Sequence, residues 1–249
     1  MSTVTIQRKN SYRLSIKKNS CNILRKKNHS AFTLAEVLIT LGIIGIVAAM
    51  TLPSIIEKHQ KIVTANKLKK FYTVMEQAIM QDEVHNEDIK YWLPTEGNFE
   101  DWFNLHLAKH MQILHQKDVS TSKTQRLQVA LADGSGFIAY KTSSTSSSST
   151  VNRIHFFYCT ELKYCGVERY DGRTSFLFSI CGDGSFVPSL CTSKTRTREK
   201  LLDSCAKGNY DNPEVSSKDK RHECARLIQY DGWEIKPDYP WRQIMIENK

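Results

Sequence analysis

The chain has 249 residues, 40% of them hydrophobic and 24% charged, which is enough apolar material for one folded domain or two small ones and excludes wholesale disorder. Its formal net charge of +9 at first suggests a nucleic-acid partner, yet residues 1–31 hold eight lysines and arginines and no acidic residue. The remaining residues carry 27 basic against 26 acidic side chains, so the body has no charge excess with which to hold nucleic acid.

After this basic tail, Val37 to Ile56 is an uncharged run of twenty residues, VLITLGIIGIVAAMTLPSII. As a helix rising about 1.5 Å per residue it spans the roughly 30 Å hydrocarbon core of a bilayer. The excess of lysine and arginine before it predicts a cytoplasmic tail and a body on the far side of the membrane. Glu36 stands at the start of this run, where an unpaired carboxylate in lipid is costly.

The residues around Glu36 form a pattern. Lys26-Lys27-Asn28-His29-Ser30-Ala31-Phe32-Thr33-Leu34-Ala35-Glu36 resembles the processing site of type IV pilins and type II secretion pseudopilins. That resemblance implies a basic leader cut after Ala31 by a prepilin peptidase, with Ala31 standing where the family usually has glycine. It implies methylation of the new terminus on Phe32, and a glutamate, here Glu36, that neutralises the N-terminal ammonium of a neighbouring subunit. Pro53 falls where the long first helix of pilins carries a helix-bending proline. The implied partners are the peptidase, other pilin or pseudopilin subunits, membrane lipid and an inner-membrane assembly platform with its ATPase.

Further along, Ile55, Ile56, Ile62, Leu68, Phe71, Tyr72, Met75, Ala78 and Ile79 recur mostly at spacings of three, four and seven, which predicts an amphipathic continuation of the helix to about Met80. Residues 81–97, with Pro94 and Gly97, read as a loop, and Asn98 caps a helix to about His115. His106 and His110 stand at i and i+4 on that helix; with no accompanying catalytic glutamate they read as surface histidines, and no metal or cofactor is expected.

Residues 125–132 and 137–142 flank Asp133-Gly134-Ser135-Gly136, a hairpin signal. SSTSSSST at residues 143–150 reads as a flexible loop, a candidate for glycosylation. Residues 151–158, 175–181 and 185–190 read as strands, and 201–206 and 218–228 as short helices. The order predicts an α+β fold, a long helical spine covering an antiparallel sheet, as the pilin resemblance also implies. The expected divisions are a cleaved leader over 1–31, a membrane or filament-core helix over 32–56, its amphipathic continuation over 57–80 and a globular body over 81–249.

Seven cysteines are present: Cys21 in the leader, and Cys159, Cys165, Cys181, Cys191, Cys205 and Cys224 in the body. Outside the cytoplasm disulfides are the default, and six cysteines allow fifteen connectivities. Nearest-neighbour pairing, 159 with 165, 181 with 191 and 205 with 224, is the expectation; the last pair would enclose a C-terminal loop resembling the disulfide-bounded region of type IV pilins. No nucleotide loop, nucleophile elbow or dinucleotide fingerprint is present, and Asp171, Asp183 and Asp211 do not form a calcium-loop pattern. The expected function is therefore a structural subunit and not an enzyme. The competing reading is a secreted or anchored disulfide-containing binding module, an adhesin or DNA-uptake minor pilin. Tyr230, Trp233, Tyr239 and Trp241 beside Lys236 and Arg242 could stack on a glycan or single strand, although aromatics near a chain end more often pack onto the body. An ordinary signal peptide, cut after Val47-Ala48-Ala49, is a further alternative.

Overall fold

The computed structural model describes residues 33–94, 98–122, 124–146, 149–166, 170–207 and 221–241. The chain forms two compact units, residues 1–50 and 51–249. Helix α1, Leu34–Glu83, contributes to both and contains Pro53, whose ring nitrogen supplies no helical donor.

In the second unit the buried side chains of α1 are Thr64, Ala65, Leu68, Phe71, Met75, Ala78, Ile79 and Asp82, a stripe at steps of three and four. It lies against a six-stranded antiparallel sheet in which each strand neighbours the next in sequence: β1 (Ile113–Asp118), β2 (Arg126–Leu131), β3 (Gly136–Ser146), β4 (Ser149–Cys159), β5 (Ser175–Ile180) and β6 (Phe186–Val187). The fold is α+β, a long helix on an antiparallel sheet.

Strand alternation sorts the side chains between two cores. Phe137, Tyr158 and Phe176 lie opposite one another across β3, β4 and β5. With Phe156, Phe178 and Phe186 they form the main core together with α1. Phe71 is the hub: its ring centroid is 4.4 Å from Tyr158, 4.9 Å from Phe178 and 5.5 Å from Phe137. Ile138, Phe157 and Leu177, one residue out of phase, meet Cys159, Cys165 and Tyr170 in a smaller cluster. Every residue of β5 is buried because both faces are covered.

Helices α2 (Ile89–Trp92) and α3 (Phe99–His106) follow α1, and α4 (Arg198–Lys207) and α5 (Cys224–Tyr230) close the chain. Disulfides join Cys159 to Cys165, Cys181 to Cys191 and Cys205 to Cys224, the last tying α4 to α5. Gly172 has φ of +75° and lies against the Cys224 sulfur, so the site demands glycine on both conformational and steric grounds. Arg198 grips Asp231 and Asp238 together, fastening α4 to the segment after α5.

Several elements depart from the sequence reading. The helix expected through His115 ends at His106, and after a 3-10 turn, Ala108–His110, the chain enters β1. This edge strand escapes periodicity because its exposure pattern does not alternate and its pairing with β2 is shifted between Ile113 and His115. The serine-rich run is not a free loop: the β3–β4 ladder continues from Lys141 opposite Ile154 to Ser146 opposite Ser149, with residues 147 and 148 outside the described set. Backbone hydrogen bonds hold such a ribbon whatever its side chains. The region read as loop over 81–97 contains the end of α1 and all of α2, whose Ile89 is buried. The strand expected over 185–190 shortens to β6, and the helix expected from 218 begins, within the described residues, at Cys224.

Candidate functional site: the head of the N-terminal helix

The first helical turn of α1 is a capping box. The Thr33 backbone N–H and its hydroxyl each donate to Glu36 Oε2 at 2.8 Å, and the Glu36 N–H donates to Thr33 Oγ1 at 3.3 Å. Thr-x-x-Glu thereby satisfies donors that a helix start otherwise leaves unpaired. Glu36 is thus tied to the helix start, yet the residue is exposed. Ala31 and Phe32 lie outside the described residues.

From Val37 to Met50 the large apolar side chains stand open: Leu38, Ile39, Leu41, Ile43, Ile44 and Ile46 are each more than half exposed. Gly42 and Gly45 add no bulk, and nothing approaches the places where their Cβ atoms would be. By length and composition this helix can cross a membrane. An apolar surface of this extent requires lipid or other apolar helices around it.

The family model of the prokaryotic N-terminal methylation motif matches residues 26–52, the segment that holds Ala31, Phe32 and Glu36. A second model, that of a family of unknown function (DUF6613), matches residues 54–243. The chain belongs to this family. No curated protein and no solved structure matches it.

A family of unknown function names no chemistry, so the methylation motif carries the functional content. It marks the chain as a type IV pilin-like substrate of prepilin peptidase, of a structural and non-enzymatic kind that is anchored in a membrane and assembles with other pilins.

Elsewhere in the body the structure places the residues singled out from sequence and corrects one of those readings. His106 is not a surface histidine: it is buried, and its Nδ1 is 2.7 Å from Oδ2 of fully buried Asp82. Lys109 Nζ approaches Asp82 Oδ1 at 2.5 Å and His110 Nε2 lies 3.6 Å from the same oxygen. Burial raises the Asp82 carboxyl, but Lys109 and His106 outweigh it and hold the group below the ordinary carboxylate value. This is an ion-pair cluster joining the end of α1 to α3 and the turn after it. Among the described residues no group of three or more His, Cys, Asp or Glu is arranged to hold a metal.

Asp171 Oδ1 accepts from the N–H groups of Arg173, Thr174 and Ser175, so its carboxylate organises its own turn; Asp211 lies outside the described residues. The C-terminal aromatics do not form a stacking platform. Tyr239 and Trp241 are 5% and 1% exposed within the main core, the Tyr239 hydroxyl donates to the Gly172 carbonyl, and Trp233 packs on Tyr72 with ring centroids 5.3 Å apart. Arg242 lies outside the described residues. Asp82 and Lys109 were invisible to sequence reading, since nothing in the pattern of an amphipathic helix marks one acid as inward-facing.

Proposed function

We propose that this chain is a pilin-like or pseudopilin-like structural subunit of a type IV pilus or a type II secretion system. It begins as an inner-membrane precursor with residues 1–31 in the cytoplasm and the body outside. Prepilin peptidase cuts after Ala31, Phe32 is methylated, and residues 32–56 anchor the subunit before entering the filament core. Residues 57–80 continue that helix and residues 81–249 form the exposed body. Glu36 meets the Phe32 ammonium of a neighbouring subunit, and Pro53 bends the helix so that it fits among the others. An inner-membrane platform and its ATPase supply the work of extraction.

The observation that carries this reading is the methylation motif running straight into an apolar helix whose side chains have no cover among the described residues. Mass spectrometry of the N-terminus of the purified protein tests it. Methyl-Phe32 is the expected terminus; a chain beginning at Met50 would instead mean secretion by a signal peptide, and one retaining Met1 an uncut anchor.

A further inference from the structure

Trp241 lies in the main core with two cations over its ring, the Arg173 guanidinium carbon at 5.1 Å from the centroid and Lys61 Nζ at 6.0 Å. Beside it opens a cleft of about 200 Å³ between α1 and the segments that follow β4 and precede β5, lined by His59, Gln60, Lys67, Tyr164, Arg173 and Trp241 among others. Arg173 Nη2 donates to Gln60 Oε1 at 2.9 Å, and among the described residues no carboxylate pairs with this guanidinium. Lys67 Nζ donates to the Thr160 carbonyl at 2.6 Å, a neutral acceptor, and meets no carboxylate among the described residues. Glu161, the acidic residue in the lining, is held by Lys163 at 2.7 Å. The cleft therefore carries a positive excess, with guanidinium N–H donors left over.

Its position along α1 is as informative as its charge. Leu52, Ile55 and Ile56 are 53%, 61% and 52% exposed, and His59 follows Ile56 by three residues, about 4.5 Å along the helix axis. The apolar surface of the helix thus gives way to the cationic cleft within one turn. For a helix inserted in a bilayer, that depth is the headgroup layer, where tyrosine and tryptophan also settle. Tyr164, partly exposed on the cleft wall, fits such a level.

We propose that this cleft binds the phosphate of an anionic glycerophospholipid headgroup, with Arg173 supplying paired N–H donors and Lys67 and His59 supporting it. Guanidinium and phosphate match in both charge and fork geometry, and each cation at such a surface favours anionic lipid. The site rests on the reading of residues 37–56 as membrane-inserted. It would fix the height and rotation of the body over the bilayer before the subunit leaves it.

The test uses the full chain reconstituted in phosphatidylcholine vesicles with increasing phosphatidylglycerol. Flotation reports insertion, and native mass spectrometry of the solubilised protein reports which lipid is retained. The wild type is expected to retain phosphatidylglycerol in preference to phosphatidylcholine. Arg173→Gln should reduce that preference about fivefold, as one surface cation is worth, while a charge-matched control at exposed Lys117→Gln or Lys200→Gln leaves it unchanged. Because Arg173 stacks on a core tryptophan, His59→Glu, at an exposed residue with no partner among the described residues, serves as a second variant, expected to lose the preference with unchanged thermal unfolding. Equal losses in the control variants, or displacement of the lipid by equimolar inorganic phosphate, would overturn the site. Flotation without any anionic preference overturns it too and leaves the membrane reading standing; failure to float with either lipid overturns both.

Discussion

Lys70 of α1 places its Nζ 2.9 Å from Oδ2 of Asp133, in the turn between β2 and β3. Asp133 Oδ1 meanwhile accepts from the Ser135 N–H at 3.1 Å and from its hydroxyl. The same arrangement recurs at Asp183-Gly184-Ser185, where Ser185 donates to Oδ1 and Lys194 approaches Oδ2 at 2.5 Å. Two Asp-Gly-Ser turns are thus each locked from inside by a serine and from outside by a lysine.

These turns predict how the body responds to acid. Burial raises the Asp133 carboxyl, but its bonds from Lys70 and Ser135 prevail and hold it at about 2; at Asp183 the Lys194 bond is the largest influence and the result is again about 2. Both values are depressed below the unfolded value of about 3.9, so the stabilisation is complete above that pH and is lost as pH falls from about 4 to about 2. Both pairs are largely solvent-screened, so Lys70→Met and Lys194→Met should each cost about 0.5 to 1 kcal/mol at pH 7. Urea unfolding of the full chain in detergent should show that difference shrinking toward zero at about pH 2, and a pH-independent difference would refute the assignment.

Phe71 joins α1 to three strands of the sheet at once. Phe71→Ala removes a buried ring in contact with Tyr158, Phe178 and Phe137 and leaves a cavity in its place. The expected cost is about 3 to 5 kcal/mol, read from the shift in denaturation midpoint; Phe71→Leu should recover more than half.

Asp82 has zero exposure and faces His106, Lys109 and His110. Asp82→Ala leaves the surrounding cationic and imidazole groups without their counter-ion, with an expected loss of about 3 kcal/mol. In a double-mutant cycle with Lys109→Ala, the second substitution should cost much less in the Asp82→Ala background than alone. Additive losses would show that the two side chains do not act together.

Glu36→Ala and Glu36→Gln separate helix capping from assembly. Neither removes the apolar run, so both variants are expected to insert in the membrane at wild-type levels. Glu36→Ala loses the capping box, whereas Glu36→Gln keeps it, since a glutamine amide oxygen accepts from the Thr33 N–H as the carboxylate does. Incorporation into sheared filaments should fall strongly for both, since neither carries a charge to balance a neighbour's ammonium; normal incorporation of Glu36→Gln would set the charge-pairing argument aside.

Residues whose role depends on local chain chemistry were legible in the sequence. The uncharged run from Val37 to Ile56 needs only its length to be recognised, and the stripe through Leu68, Phe71 and Met75 needs only the pitch of a helix. Thr33 and Glu36 form a capping box whose Thr-x-x-Glu spacing the sequence already contains. The strands of the central sheet were visible because β-branched and aromatic residues alternate there between two covered faces.

What the sequence determined by itself is the apolar N-terminal helix, the processing-type signal ahead of it and the α+β order of the body, because each is written in consecutive residues and their periodicity. Only tertiary structure decided that Ile113–Asp118 is an edge strand, that the serine-rich run extends a hairpin, which of fifteen sulfur pairings forms, and that Asp82 and His106 meet in the interior. Those outcomes depend on partners up to 24 residues away, and the free energy of a backbone ladder or a buried ion pair exists only once the partner has arrived.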